Sequence, residues 1–178
     1  AAGVLETTPS RTVCVPRLNK KRLTELTEVR IAIEGMATKA AFANATPGLR
    51  KKLHAINRRL LKAIEQRGIV NCLSVNREFH FTLYEAAESE ILMPIIEGLW
   101  LQCGPTMYHS LLHPGMTWNS SSHVEILEGL DEGDEAKTLR GITKDIRTAL
   151  KTILTSPAVK QSDGPLGSPM SYFDIGLR

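Results

Sequence analysis

From about Arg22 to Thr155 the apolar residues recur at steps of three and four, a period that suits helices and not strands. The second stretch is the clearest. Leu49, Leu53, Ile56, Leu60 and Ile64 follow one another at steps of four, three, four and four. Thr46-Pro47 opens that helix, with proline suited to the first turn, and Gly68 is expected to stop it. The first helix is predicted from about Arg22 to Ala45, with Leu23, Leu26, Ile33, Met36, Ala37 and Ala40 on its apolar side. A third runs from about Ile69 to Ala87. Ser89 is placed to cap a fourth, which carries Leu92, Ile95, Ile96, Leu99, Cys103 and Met107 and ends at His113-Pro114-Gly115. Pro105 is expected to kink it by removing the bond to the carbonyl of Leu101. A fifth begins between Trp118 and Ser121 and reaches Gly133, with Ile126, Leu127 and Leu130 inward. The sixth spans about Asp134 to Thr155, with Leu139, Ile142, Ile146, Ala149 and Ile153 inward.

Amphipathic helices on short connections bury their stripes against one another, so the expected fold is all-α, an antiparallel bundle of six to seven helices. Residues 1–16 read differently. Gly3-Val4-Leu5-Glu6 and Thr12-Val13-Cys14-Val15 flank a polar tip and predict a short β-hairpin remnant ahead of the helical domain at 17–156. Residues 157–178, rich in Pro, Gly and Ser, read as a flexible tail.

Charge does little to choose a partner, because a net charge of +3 is too small to argue for nucleic acid. Three widely spaced cysteines argue against a disulfide framework and fit a reducing cytosol. No apolar run reaches membrane-spanning length, and the N-terminus does not read as a signal peptide.

The informative residues are polar ones on apolar faces. Asn76 and His80 stand four apart on the third helix, on the face that carries Leu73, Leu83, Tyr84 and Ala87. His123 shares the face of Ile126, Leu127 and Leu130, and Asp145 lies between Ile142 and Ala149. A lone inward histidine is ordinarily a hydrogen-bonded core residue, and an inward aspartate often pairs with an arginine. Four polar groups on three buried faces need a common solution, either a hydrogen-bonded cluster or a divalent ion such as zinc, nickel or manganese. Arg30 sits at the edge of the first helix's apolar face. It suits either a surface ion pair with Glu34, four residues on, or a fork that clamps a carboxylate entering the bundle. His54, His109 and His113 fall off the apolar stripes and read as solvated. No glycine-rich phosphate loop precedes a helix.

Together these residues resemble the C-terminal effector-binding domain of GntR-type transcription regulators of the FadR subfamily, the FCD domain, over roughly residues 20–155. The resemblance rests on Glu28-Val29-Arg30 with Glu34, on Asn76-Arg77-Glu78-Phe79-His80 before Leu83, on His123 with Ile126-Leu127 and Gly133-Asp134, and on Asp145-Ile146. The family's usual pattern is Asp-x-x-x-His, a second histidine and then a third. Here Asn76 stands at the aspartate, His80 and His123 are kept, and Asp145 stands at the third histidine.

The resemblance implies a ligand-responsive, DNA-binding transcription regulator that works as a cytoplasmic homodimer. It implies a divalent metal at Asn76, His80, His123 and Asp145, and a small organic acid bound in the core. Candidate walls for that acid are Arg30, Trp100, Tyr108 and Asn119. Residues 3–15 look like the end of a winged-helix domain. Operator DNA would then be read by an N-terminal domain largely absent from this chain. Two alternatives are a metal-dependent helical-bundle enzyme acting on a small carboxylate and a plain protein-interaction module. The enzyme lacks a clear spare acid or base on the inward faces, so no catalytic residue is expected.

Overall fold

The structure is a computed structural model that describes residues 6–7, 13–14, 19–111 and 120–155, with backbone only at 6, 7, 13, 14, 105, 106 and 109–111. The tail beyond 155 and Asn119 lie outside the described residues, and α4 is helical through Pro105, where the sequence predicts a kink. Six helices follow a minimal strand pair. Strands β1 (Glu6–Thr7) and β2 (Val13–Cys14) pair antiparallel, with Glu6 opposite Cys14. The helices are α1 (Lys20–Ala43), α2 (Pro47–Glu65), α3 (Ile69–Glu85), α4 (Leu92–Leu111), α5 (Ser121–Glu132) and α6 (Glu135–Thr155). None of the described helices is long and apolar enough to cross a membrane.

Side-chain caps start four of them. Asn19, Thr46, Ser89 and Asp134 each accept from the backbone N–H three residues on, at 2.9, 3.1, 3.1 and 2.8 Å. The stop after α2 differs from expectation. The left-handed residue there is Arg67, at φ 54°, whereas Gly68 serves as the N-cap of α3. After α5, Gly133 takes φ 72° and lets the chain double back directly into α6.

The main core gathers Leu53, Ile56 and Leu60 of α2, Phe79, Leu83 and Tyr84 of α3, and Ile126, Leu130, Ile142 and Ile146 of α5 and α6. Two apolar expectations fail. Met36 is 59% exposed and Ile95 is 42% exposed. On α1 Leu23, Leu26 and Ala37 are buried as expected, and Thr27, Arg30, Glu34, Thr38 and Ala41 are buried with them. Leu139 is only partly buried and borders an outer groove on α6.

Helices α5 and α6 form the tightest pair. A Cβ at Gly141 would stand 2.7 Å from Cγ1 and 2.9 Å from the amide of Ile126, so only glycine fits between the two backbones. By contrast, α3 is not among the close backbone neighbours of α5 or α6 in the described residues. Side chains span that gap, and they are the polar ones singled out above.

Candidate metal centre

His80 comes from α3, His123 from α5 and Asp145 from α6, and their ligand atoms lie within 4.8 Å of one another. His80 Nε2 is 3.2 Å from His123 Nε2 and 3.1 Å from Asp145 Oδ2. His123 Nε2 lies 3.7 Å from Asp145 Oδ1. Both rings are buried, whereas the Asp145 side chain keeps 21% of its exposure. Ligands about 2.1 Å from a divalent ion stand roughly 3.0 Å apart in octahedral and 3.4 Å apart in tetrahedral geometry. The observed separations of 3.1, 3.2 and 3.7 Å lie close to those values.

Asn76 lies one helical turn before His80 and is buried, and its Oδ1 has no hydrogen-bond partner. An orphaned buried oxygen beside three converging donors suits a fourth ligand. His123 is oriented by its neighbours. Phe79 stacks on its ring at 4.1 Å and 8°. Its Nδ1 also lacks a partner.

A second polar group adjoins the first. Arg30 donates through Nε to Glu34 Oε1 at 2.6 Å and through Nη2 to Oε2 at 3.3 Å. Glu34 Oε2 also accepts from the Tyr84 hydroxyl at 2.6 Å and from Trp100 Nε1 at 3.1 Å. Tyr84 in turn meets His80 Nδ1 at 3.1 Å. The Arg30–Glu34 pair is therefore buried, not a surface pair, and its guanidinium is already engaged. Burial alone would lower the Arg30 pKa, but Cys103 and Glu34 outweigh it and hold the charge in place.

Of the expected acid-binding residues, Arg30 and Trp100 belong to this group. The Trp100 ring lies 5.3 Å from that of His80. Tyr108 is 40% exposed on α4, away from the buried positions. Glu34 and Tyr84 were not singled out as site residues. The available signal was the four-residue spacing from Arg30 to Glu34 and from His80 to Tyr84, which puts each pair on one face.

A family model described as the FCD domain matches residues 25–148. The chain belongs to the FCD domain family. Among curated proteins, the chain is 29% identical over 109 residues to the HTH-type transcriptional regulator McbR of Escherichia coli (strain K12). That match covers 61% of this chain and 49% of McbR, so the chain spans about half the length of the curated relative it matches. The solved structure of E. coli McbR/YncC superposes with a TM-score of 0.78 at 23% identity, covering 85% of this chain and 77% of that one. A GntR-family transcriptional regulator from Pseudomonas syringae pv. tomato str. DC3000 gives 0.64 at 14% identity, covering 89% of this chain and 66% of that one. At those identities the structural matches establish the fold. Both McbR and the Pseudomonas syringae protein are described as transcriptional regulators.

The electrostatics of this FCD domain give a pH dependence. Burial holds His123 down to about 4, against the pull of the Asp145 charge and with help from His80. Burial would raise Asp145, but the hydrogen bond and charge of His80, then the charges of His123 and Arg30, bring it down to about 2. Both groups bind protons more readily in the unfolded chain. Stability from His123 is therefore full above pH 6.5 and drains away as pH falls to 4. Urea denaturation of metal-free protein should show about 2–3 kcal/mol lost between pH 7 and pH 4.5. A flat profile across that interval contradicts the buried neutral imidazole.

Proposed function

We propose that this chain is the effector-sensing domain of a ligand-responsive, DNA-binding transcription regulator, and that it binds a small organic acid through a divalent metal ion. The observation that carries the reading is the convergence of His80, His123 and Asp145 on one point in the bundle, with the unpaired oxygen of Asn76 one turn away. Zinc, nickel or manganese suits that mixed nitrogen and oxygen set. When bound, the ion would supply a positive charge for a carboxylate in the bundle core. Arg30 is occupied by Glu34, which favours the ion as the point of attachment. Trp100 would wall the site beside His80, and Tyr108 and Asn119 remain candidate walls on the resemblance alone. Residues 17–156 make up the sensing domain in this reading. Operator DNA would be read by a winged-helix domain N-terminal to it, and the working protein is cytoplasmic.

The test is titration calorimetry of chelator-stripped protein with zinc, nickel and manganese in turn, followed by small mono- and dicarboxylic acids. Metal binding at one site per chain is expected, with acid binding only to the loaded protein. Heats indistinguishable from dilution for all three metals reject the metal, and acid binding unaffected by chelator rejects its role in sensing.

The regulator is further proposed to be a homodimer. Val29 and Met36, seven apart on α1, and Leu101 on α4 are large apolar residues left exposed. Light scattering should give twice the chain mass at micromolar concentration. Met36→Glu combined with Leu101→Glu should return the monomer mass, and a wild-type monomer at that concentration rejects the dimer.

A further inference from the structure

We infer that the outer face of α2 is a sequence-independent docking surface for the phosphate backbone of DNA. The inference rests on the reading of this chain as part of a DNA-binding regulator. Leu49, Leu53, Ile56, Leu60 and Ile64 turn one side of α2 to the core, so the residues opposite them face outward. Arg50, Lys51, Lys52, Arg58, Arg59 and Lys62 stand against a single acid, Glu65. That is a net +5 on one helix, where the whole chain carries +3. The small total conceals the patch because acids collect elsewhere. Helix α5 holds Glu125, Glu128, Asp131 and Glu132 and no lysine or arginine.

Two of these cations are spoken for. Arg59 pairs with Glu78 of α3 at 2.7 Å, and Arg50 donates to the Leu130 carbonyl of α5 at 3.1 Å. Lys51, Lys52, Arg58 and Lys62 are exposed and have no side-chain partner among the described residues. Lys51, Arg58 and Lys62 follow at steps of seven and four, so they share one side of the helix, with Ala55 in the place between. Their row extends about 16 Å, against one phosphate for roughly every 3.4 Å of a DNA strand. It carries no large apolar side chain. Leu61 is exposed, but it lies on the flank of α2 that carries His54, whose ring meets Asp131 of α5. Protein partners anchor on aromatic or aliphatic side chains, whereas a phosphate backbone needs only charge, so DNA fits this face better than an acidic peptide. Its place in the bundle agrees. Asn44, just after α1, donates to the carbonyl of Ala86, just after α3. The turn between α2 and α3, with exposed Arg67 in it, therefore lies at the opposite end, where α1 begins. The proposed DNA-reading domain precedes α1, so the row leads toward it. Among the described residues the close backbone neighbours of α2 are α3 and α5, so a dimer formed through α1 and α4 would leave the face uncovered.

The test is fluorescence anisotropy of a labelled random-sequence duplex with the full 178-residue chain, in about 25 to 200 mM NaCl. Four free cations predict micromolar binding at the low-salt end and a slope of log K against log salt of about −3 to −4. Arg58→Gln with Lys62→Gln should weaken binding roughly tenfold and flatten that slope by about 2. Arg147→Gln with Lys151→Gln makes the same charge change at the same spacing on the exposed side of α6, and should leave the affinity within about threefold. Equal losses in the two variants, or a larger loss in the α6 variant, overturn the inference, as does a wild type that binds no duplex at the lowest salt. Polyglutamate is the competing probe. If it binds this chain more tightly than the duplex does at equal charge, the face belongs to an acidic protein and the inference fails. The anisotropy is measured on this chain and is blind to sequence. Failure of the operator reading shows instead as a lack of sequence selection by a protein that carries the winged-helix domain, so the two failures are distinguishable.

Discussion

Glu34→Gln is expected to lower the unfolding free energy by about 3–5 kcal/mol, the range seen when one partner of a buried ion pair is removed. The substitution keeps the volume and removes the charge. Arg30 is 5% exposed, so solvent has little access to replace its partner. Tyr84 and Trp100 also lose their shared anionic acceptor. For a domain of this size the melting temperature should fall by roughly 6–20 °C. The cycle with Arg30→Met separates desolvation from packing. With both charges gone, the double variant should be clearly more stable than the sum of the two single losses predicts, because neither leaves an unpaired ion behind. Additive losses in denaturant titrations would show that the pair is not coupled.

The second large effect concerns the cluster. Zinc at about a thousand times its Kd should stabilise the native state by about 4 kcal/mol, read as a rise in melting temperature of roughly 8–16 °C. His123→Ala should remove that rise altogether, because it deletes the α5 donor and leaves an incomplete shell. Asn76→Asp should tighten zinc binding by restoring a charged oxygen at the position where the family's usual pattern has aspartate. A zinc-induced rise that survives in His123→Ala would place the ion elsewhere in the protein.

The helical boundaries were legible because each stripe is long and its caps are chemically explicit, as with Thr46 before Pro47 and Ser89 before Leu92. His80, His123 and Asp145 were legible for a related reason. Each sits among strong apolar neighbours at helical spacing, and the structure puts all three together. The interior of α1 was not. Its period was drawn through Ile33 and Met36, whereas the protein buries Arg30 and Glu34 and exposes Met36. Hydrophobic periodicity treats every charged side chain as a surface marker. It has no means of recognising two opposite charges one turn apart that neutralise each other, and then accept a tyrosine and a tryptophan from other helices. Tyr84 was counted among the apolar residues of its face for the same reason, and its hydroxyl proves to join the two polar groups. Asn119 stays an expectation from resemblance alone, since it lies outside the described residues.

The glycine contact between α5 and α6 bears on how the cluster would respond to an ion. With Gly141 pressed against the Ile126 backbone and Gly133 closing the turn, His123 and Asp145 ride on one stiff hairpin. His80 and Asn76 ride on α3, which the backbone contacts leave standing apart from that hairpin. The donors therefore form two jaws and not four independent fingers. In the proposed reading a cation held between them would clasp α3 to that hairpin, so its arrival or loss would bear on how those two parts of the bundle sit together.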